Sequence, residues 1–107
     1  MFSLYLYHVK QLNTFIMTKE QVLEAIKGTQ FEADLGNAIS INGAKSSRGF
    51  WNLVVSIRDV KLFTKGIKAH RNWRLSDVKW YFGVSGSKDK IANTLEAYRD
   101  ALFPKSE

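Results

Sequence analysis

The side chains that could do chemistry are few. The chain has two histidines, His8 and His70, and no cysteine. Without thiols there is no disulfide framework, zinc ribbon or thiol nucleophile. No His-x-x-x-His spacing places two imidazoles on one helix face, as a metal site would need. His70 sits among Lys68, Arg71 and Arg74, which would repel a metal cation, so it reads as an exposed polar or nucleic-acid-contacting residue. Asp59 and Asp77 read as a turn residue and a strand-entry residue rather than as a paired acid and base. The run Gly83-Val84-Ser85-Gly86-Ser87 precedes a helix start, where backbone amides can meet an anion. The remaining glycines are scattered singly and form no phosphate loop. The expectation is a non-enzymatic protein with no catalytic residue, no metal and no cofactor.

Cations are the abundant functional groups. Lys and Arg number 16 against 10 acids, a formal net charge of +6. The excess is confined to the middle of the chain. Residues 1–44 carry three lysines against four acids, and residues 91–107 two basic residues against three acids. Residues 45–90 carry eleven basic residues against Asp59, Asp77 and Asp89. A block of this sign suits a polyanion. Aromatic residues, 13% of the chain, interleave with it. Lysine and arginine neutralise phosphates, and rings offer stacking surfaces to unpaired bases. The residues assigned to this chemistry are Lys45, Arg48, Phe50, Lys61, Phe63, Lys65, Lys68, Arg71, Trp73, Arg74, Lys79 and Tyr81.

The elements that must position them follow from periodicity. At 107 residues, with 45% hydrophobic content, the chain is expected to be a single domain, 1–107, with a packed core. Residues 1–16 read either as an N-terminal extension upstream of Met17 or as an edge strand, and a chain beginning at Met17 is expected to fold. No window approaches the ~18 apolar residues of a membrane span, and the opening residues make a poor signal peptide. The expected location is cytoplasmic, with no membrane partner.

A helix is expected at 18–27, where Thr18 and Gln21 have capping-box spacing and Val22, Leu23 and Ile26 form the apolar stripe. A short strand is expected at 36–43, followed by a basic turn at 45–49. From Phe50 the chain alternates, with Trp51, Leu53, Val55 and Ile57 on one face. The apolar phase shifts at 58–59 and resumes at Val60 and Leu62, which a strand can accommodate only with a turn or bulge. A hairpin there would set Phe50 and Phe63 among Lys61 and Lys65 on its outer face. A further strand at 78–84 would point Val78, Trp80 and Phe82 inward and Lys79 and Tyr81 outward. Ser87 caps an expected helix at 88–103, whose stripe is Ile91, Leu95, Tyr98 and Leu102. The expected fold is α+β: an antiparallel sheet of four to five strands, with an N-terminal and a C-terminal helix packed on it.

The run Arg48-Gly49-Phe50-Trp51-Asn52-Leu53-Val54-Val55-Ser56-Ile57-Arg58, the strands after it, and Gly83-Val84-Ser85-Gly86-Ser87 leading into a C-terminal helix resemble a known arrangement. Over about residues 36–103 they look like the ββββα unit of the Whirly and transcriptional-coactivator single-stranded DNA-binding fold. The resemblance implies a curved antiparallel sheet, dimerisation through the helices and sheet-mediated binding of single strands. The chain departs from it in its extra N-terminal helix and in lacking a lysine-rich signature. The expected function is low-specificity binding of single-stranded DNA or RNA through a basic, aromatic sheet face. The alternative is a homo-oligomeric or partner-binding protein that buries the same face in an interface.

Overall fold

The computed structural model describes residues 16–104. The extension or edge strand considered for residues 1–16, and the truncation at Met17, fall almost wholly outside them. Among the described residues there are five helices and one two-stranded hairpin. The expected four- or five-stranded sheet is not present there. The regions read as strands at 50–57, 60–67 and 78–84 lie mostly within helices.

α1 spans Lys19–Ala25, and Thr18 and Gln21 close the expected capping box, each side chain accepting from the other's backbone amide at 3.1 and 2.9 Å. α2 spans Gln30–Leu35, capped by Thr29 on the Glu32 amide. The Glu32 carboxylate reaches back to accept from the Gly28 amide at 2.9 Å. β1, Ala38–Ile41, pairs antiparallel with β2, Ala44–Ser47, in the register Ile41 to Ala44. Asn42 and Gly43 bridge them at φ +52° and +83°, the positive pair that a two-residue type I′ hairpin demands. The basic turn expected at 45–49 is therefore a strand followed by a helix start.

α3 spans Arg48–Thr64, with Ser47 accepting from the Phe50 amide at its N-terminus. Leu53, Ile57 and Val60 are buried along it. Their spacing of four and then three is that of a helical stripe. This explains the phase shift at 58–59: what would break a strand is ordinary helical periodicity. Trp51, expected in the core, is 45% exposed, and Val55 is only half-buried. α4, Leu75–Phe82, repeats the outcome. Val78 and Phe82, four apart, are buried, and Trp80 between them is 69% exposed. α5, Lys88–Leu102, is the expected C-terminal helix with its Ser87 cap. Ile91, Leu95 and Tyr98 are buried and Leu102 is half-buried.

α3 and α5 form the central pair, with α1 against α5, and α2 against α3 and α4. The central pair runs antiparallel. Phe50 near the start of α3 meets Phe103 after the end of α5, with ring centroids 4.6 Å apart, while Lys61 pairs with Glu96 and Phe63 meets Lys88. The core fills with Val22, Ile26, Phe31, Leu53, Val60, Phe82, Ile91 and Leu95. Gly49 is the point of closest approach between α2 and α3: a Cβ there would lie 2.8 Å from the Leu35 backbone nitrogen.

Candidate nucleic-acid interface

The C-terminal end of α3 organises the basic residues. The helix stops in a Schellman arrangement: Lys65 is the C-cap, Gly66 takes φ +84°, and the amides of Gly66 and Ile67 bond back to the Phe63 and Leu62 carbonyls at 2.9 and 3.0 Å. The chain then forms a loop over residues 65–74 carrying Lys65, Lys68, Arg71 and Arg74 at three-residue intervals, all exposed. The loop is pinned from inside. Trp73 is 8% exposed, with its ring 5.0 Å from that of Phe63. Ala69 packs on the core, and the Trp73 amide donates to the His70 carbonyl at 3.1 Å. Lys68 Nζ donates to the Arg71 carbonyl at 3.4 Å. Lys88 Nζ also lies over the Phe63 ring, 5.3 Å from its centroid, a cation–π distance. One ring thus joins the end of α3, the loop that carries Lys65, Lys68, Arg71 and Arg74, and Lys88 at the start of α5. None of these five forms an ion pair among the described residues.

The other sequence-assigned residues separate from this cluster. Lys45 is exposed on β2, and Arg48 is exposed at the start of α3. Lys61 is engaged by Glu96. Lys79 is half-buried on α4. The rings expected to stack bases, Phe50, Phe63 and Tyr81 on a sheet face and Trp73 in the flanking loop, do not form one platform. Phe50 packs on Phe103, and Phe63 on the buried Trp73. Tyr81 is half-buried, its hydroxyl drawn into a hydrogen-bond network. The aromatic platform proposed from strand alternation disappears with the strands. Of the assigned residues, the structure brings together the cations of 65–74.

The Tyr81 network was not legible in the sequence. Asp34, at the end of α2 and 5% exposed, accepts from Tyr81 at 2.7 Å, from Gln30 at 3.1 Å and from Asn37 at 3.0 Å. Asn52 in turn donates to the Tyr81 oxygen at 2.9 Å. The bond from Tyr81, more than those from Gln30 and Asn37, holds the Asp34 carboxyl below its ordinary value against the opposing effect of burial. Burial, reinforced by the bond to Asp34, pushes the Tyr81 phenol up to about 12, although the bond from Asn52 works the other way. A phenol so far from neutral pH is a poor acid–base catalyst there. The network ties α2, α3 and α4 together.

Above it, between α3 and α4, lies an open groove of about 380 Å³, with Asn52, Val55 and Ser56 on one wall and Asp77, Trp80 and Tyr81 on the other. Trp80 is the most exposed tryptophan in the chain. The sequence held the signal that would have revealed it: on a helix, Val78 and Phe82 define the inward face and Trp80 points away from both.

Among the described residues no cluster of His, Cys, Asp or Glu could hold a metal ion, and no helix is long and apolar enough to cross a membrane. Comparison with protein-family models, curated proteins and solved structures finds no match to this chain.

Proposed function

We propose that this protein binds nucleic acid non-enzymatically and with low sequence specificity, through the cationic loop at the end of α3 rather than through a sheet. The observation that carries the reading is that Lys65, Lys68, Arg71 and Arg74 share a loop whose Trp73 packs on Phe63, the ring that Lys88 also meets, and none of the five is ion-paired among the described residues. The four loop cations are exposed, free to displace the counterions of a phosphate backbone, and Lys88 stands half-buried beside them on α5. No acid lies between Asp59 and Asp77 in the sequence, and in the fold Asp89 and Glu96 line a pocket with Lys65 alone of the loop cations. The partner is single-stranded DNA or RNA, and contact is mainly with phosphates, which accounts for low specificity.

The test is a salt titration of binding to a labelled oligothymidylate. Each phosphate contact contributes about −0.7 to the log–log slope for a single strand. Replacing Lys65, Lys68, Arg71 and Arg74 together by Ala should flatten the slope by up to about 2.8. The helical circular dichroism should be retained, because all four side chains are exposed. Absence of binding in low-salt buffer, or an unchanged slope in the fourfold variant, would overturn the proposal.

A further inference from the structure

We infer that the groove between α3 and α4, with Trp80 as one wall, takes an unpaired nucleobase, so that the protein distinguishes a single strand from a duplex. The inference rests on the nucleic-acid reading above and adds a second site type to it.

An indole that is 69% exposed has no packing role that would account for it. Trp80 and Val55 both line this open groove, so a flat ring entering it would meet an indole and an aliphatic side chain. Base–aromatic stacking is indifferent to base identity, since every base has a π-face. Polar groups are available on both walls for a base edge. Asn52 spends one amide hydrogen on Tyr81, leaving its carbonyl oxygen and second hydrogen uncommitted among the described residues. Asp77 is exposed and Ser56 half-buried beside it.

Charge argues for this occupant over an apolar one. α4 begins at the cationic loop, with Arg74 as its N-cap residue, and Lys79 immediately precedes Trp80. A strand whose phosphates follow 65–74 reaches the groove along the same short helix. Tyr81, on the same wall as Trp80, is held by hydrogen bonds with Asp34 and Asn52, which preorganises that side of the groove.

The experiment compares three probes of equal length: oligothymidylate, the corresponding abasic strand and a duplex. Intrinsic tryptophan fluorescence and labelled-probe anisotropy are the readouts. Oligothymidylate should quench the emission and the abasic strand should not. Trp80→Ala should weaken oligothymidylate binding about 5- to 150-fold, leaving abasic-strand affinity and the salt slope unchanged. Trp80→Phe should recover part of the loss. Equal affinity of Trp80→Ala and wild type for oligothymidylate would overturn the inference. So would a wild-type dimer in sedimentation that Trp80→Ala converts to monomer with oligothymidylate binding intact, which would assign the groove to a second copy of the chain. In either case, loss of binding in the fourfold loop variant would leave the nucleic-acid reading standing. Wild type failing to bind any probe would remove both.

Discussion

The Tyr81 hydroxyl donates to Asp34 across 47 residues of sequence, at 2.7 Å. It is the longest-range side-chain hydrogen bond among the described residues and joins the helical N-terminal part of the domain to α4. Tyr81→Phe removes one of the three donors to a carboxylate that is 5% exposed, leaving Gln30 and Asn37. A buried charge that loses a partner keeps its desolvation cost, so the variant should lose about 1–3 kcal/mol in urea denaturation. Asn52→Ala, which removes only the donor to Tyr81, should cost less.

The same pair sets two limits in pH. Asp34 has its folded pKa depressed below 3.8, so its stabilising contribution is present above that value and fades as pH falls through the lower folded value. Tyr81 has its folded pKa raised from 10.0 to about 12. Its contribution is complete below 10.0 and disappears as pH rises towards about 12. Asp34→Asn should flatten the acid limb of a stability–pH profile, and Tyr81→Phe the alkaline limb. Ultraviolet titration of tyrosinate should show one late-ionising phenol lost in Tyr81→Phe.

Leu53→Ala should cost about 2–5 kcal/mol by thermal or chemical denaturation, since Leu53 is fully enclosed between α3 and its neighbours. Trp51→Ala, two residues away, should cost far less than the same truncation of a buried tryptophan, because 45% of the side chain's residue surface is in water. A strand would have made the two equally costly.

Gly49→Ala should destabilise by about 1–3 kcal/mol despite improving helix propensity. Its Cβ would come within 2.8 Å of the Leu35 nitrogen and 2.9 Å of the Leu35 Cα, backbone atoms that cannot rotate aside. Gly36→Ala, where the nearest atom is 3.7 Å away, is the matched control for measuring the cost of crowding.

The two ends of the fold were readable because they are announced locally. Thr18 with Gln21, and Ser87 ahead of Ile91, Leu95 and Tyr98, combine a cap with an apolar stripe that only a helix satisfies. The middle was ambiguous because Trp51, Leu53, Val55 and Ile57 satisfy period two while Leu53, Ile57 and Val60 satisfy the helical period. The phase shift at 58–59 discriminated between them and favoured the helix, as did Ser47 in position to cap it. The Asn42-Gly43 turn was a hairpin signal in plain view. The basic run 65–74 was visible as composition, but its pinning depends on Trp73 folding back onto Phe63 at the end of α3. The Asp34 network depends on three separate helices and has no local signature.

The inward turn of Trp73 also has a thermodynamic consequence. Since its indole is already against Phe63 and Ala69 already lies on the core, the loop buries these two side chains before any partner arrives, leaving Ile67, 52% exposed, as its large apolar side chain in water. Calorimetry of an abasic strand binding at 65–74 should therefore show only a small heat-capacity change and an association driven largely by ion release, the signature of a preformed electrostatic surface rather than of a segment that folds as it binds.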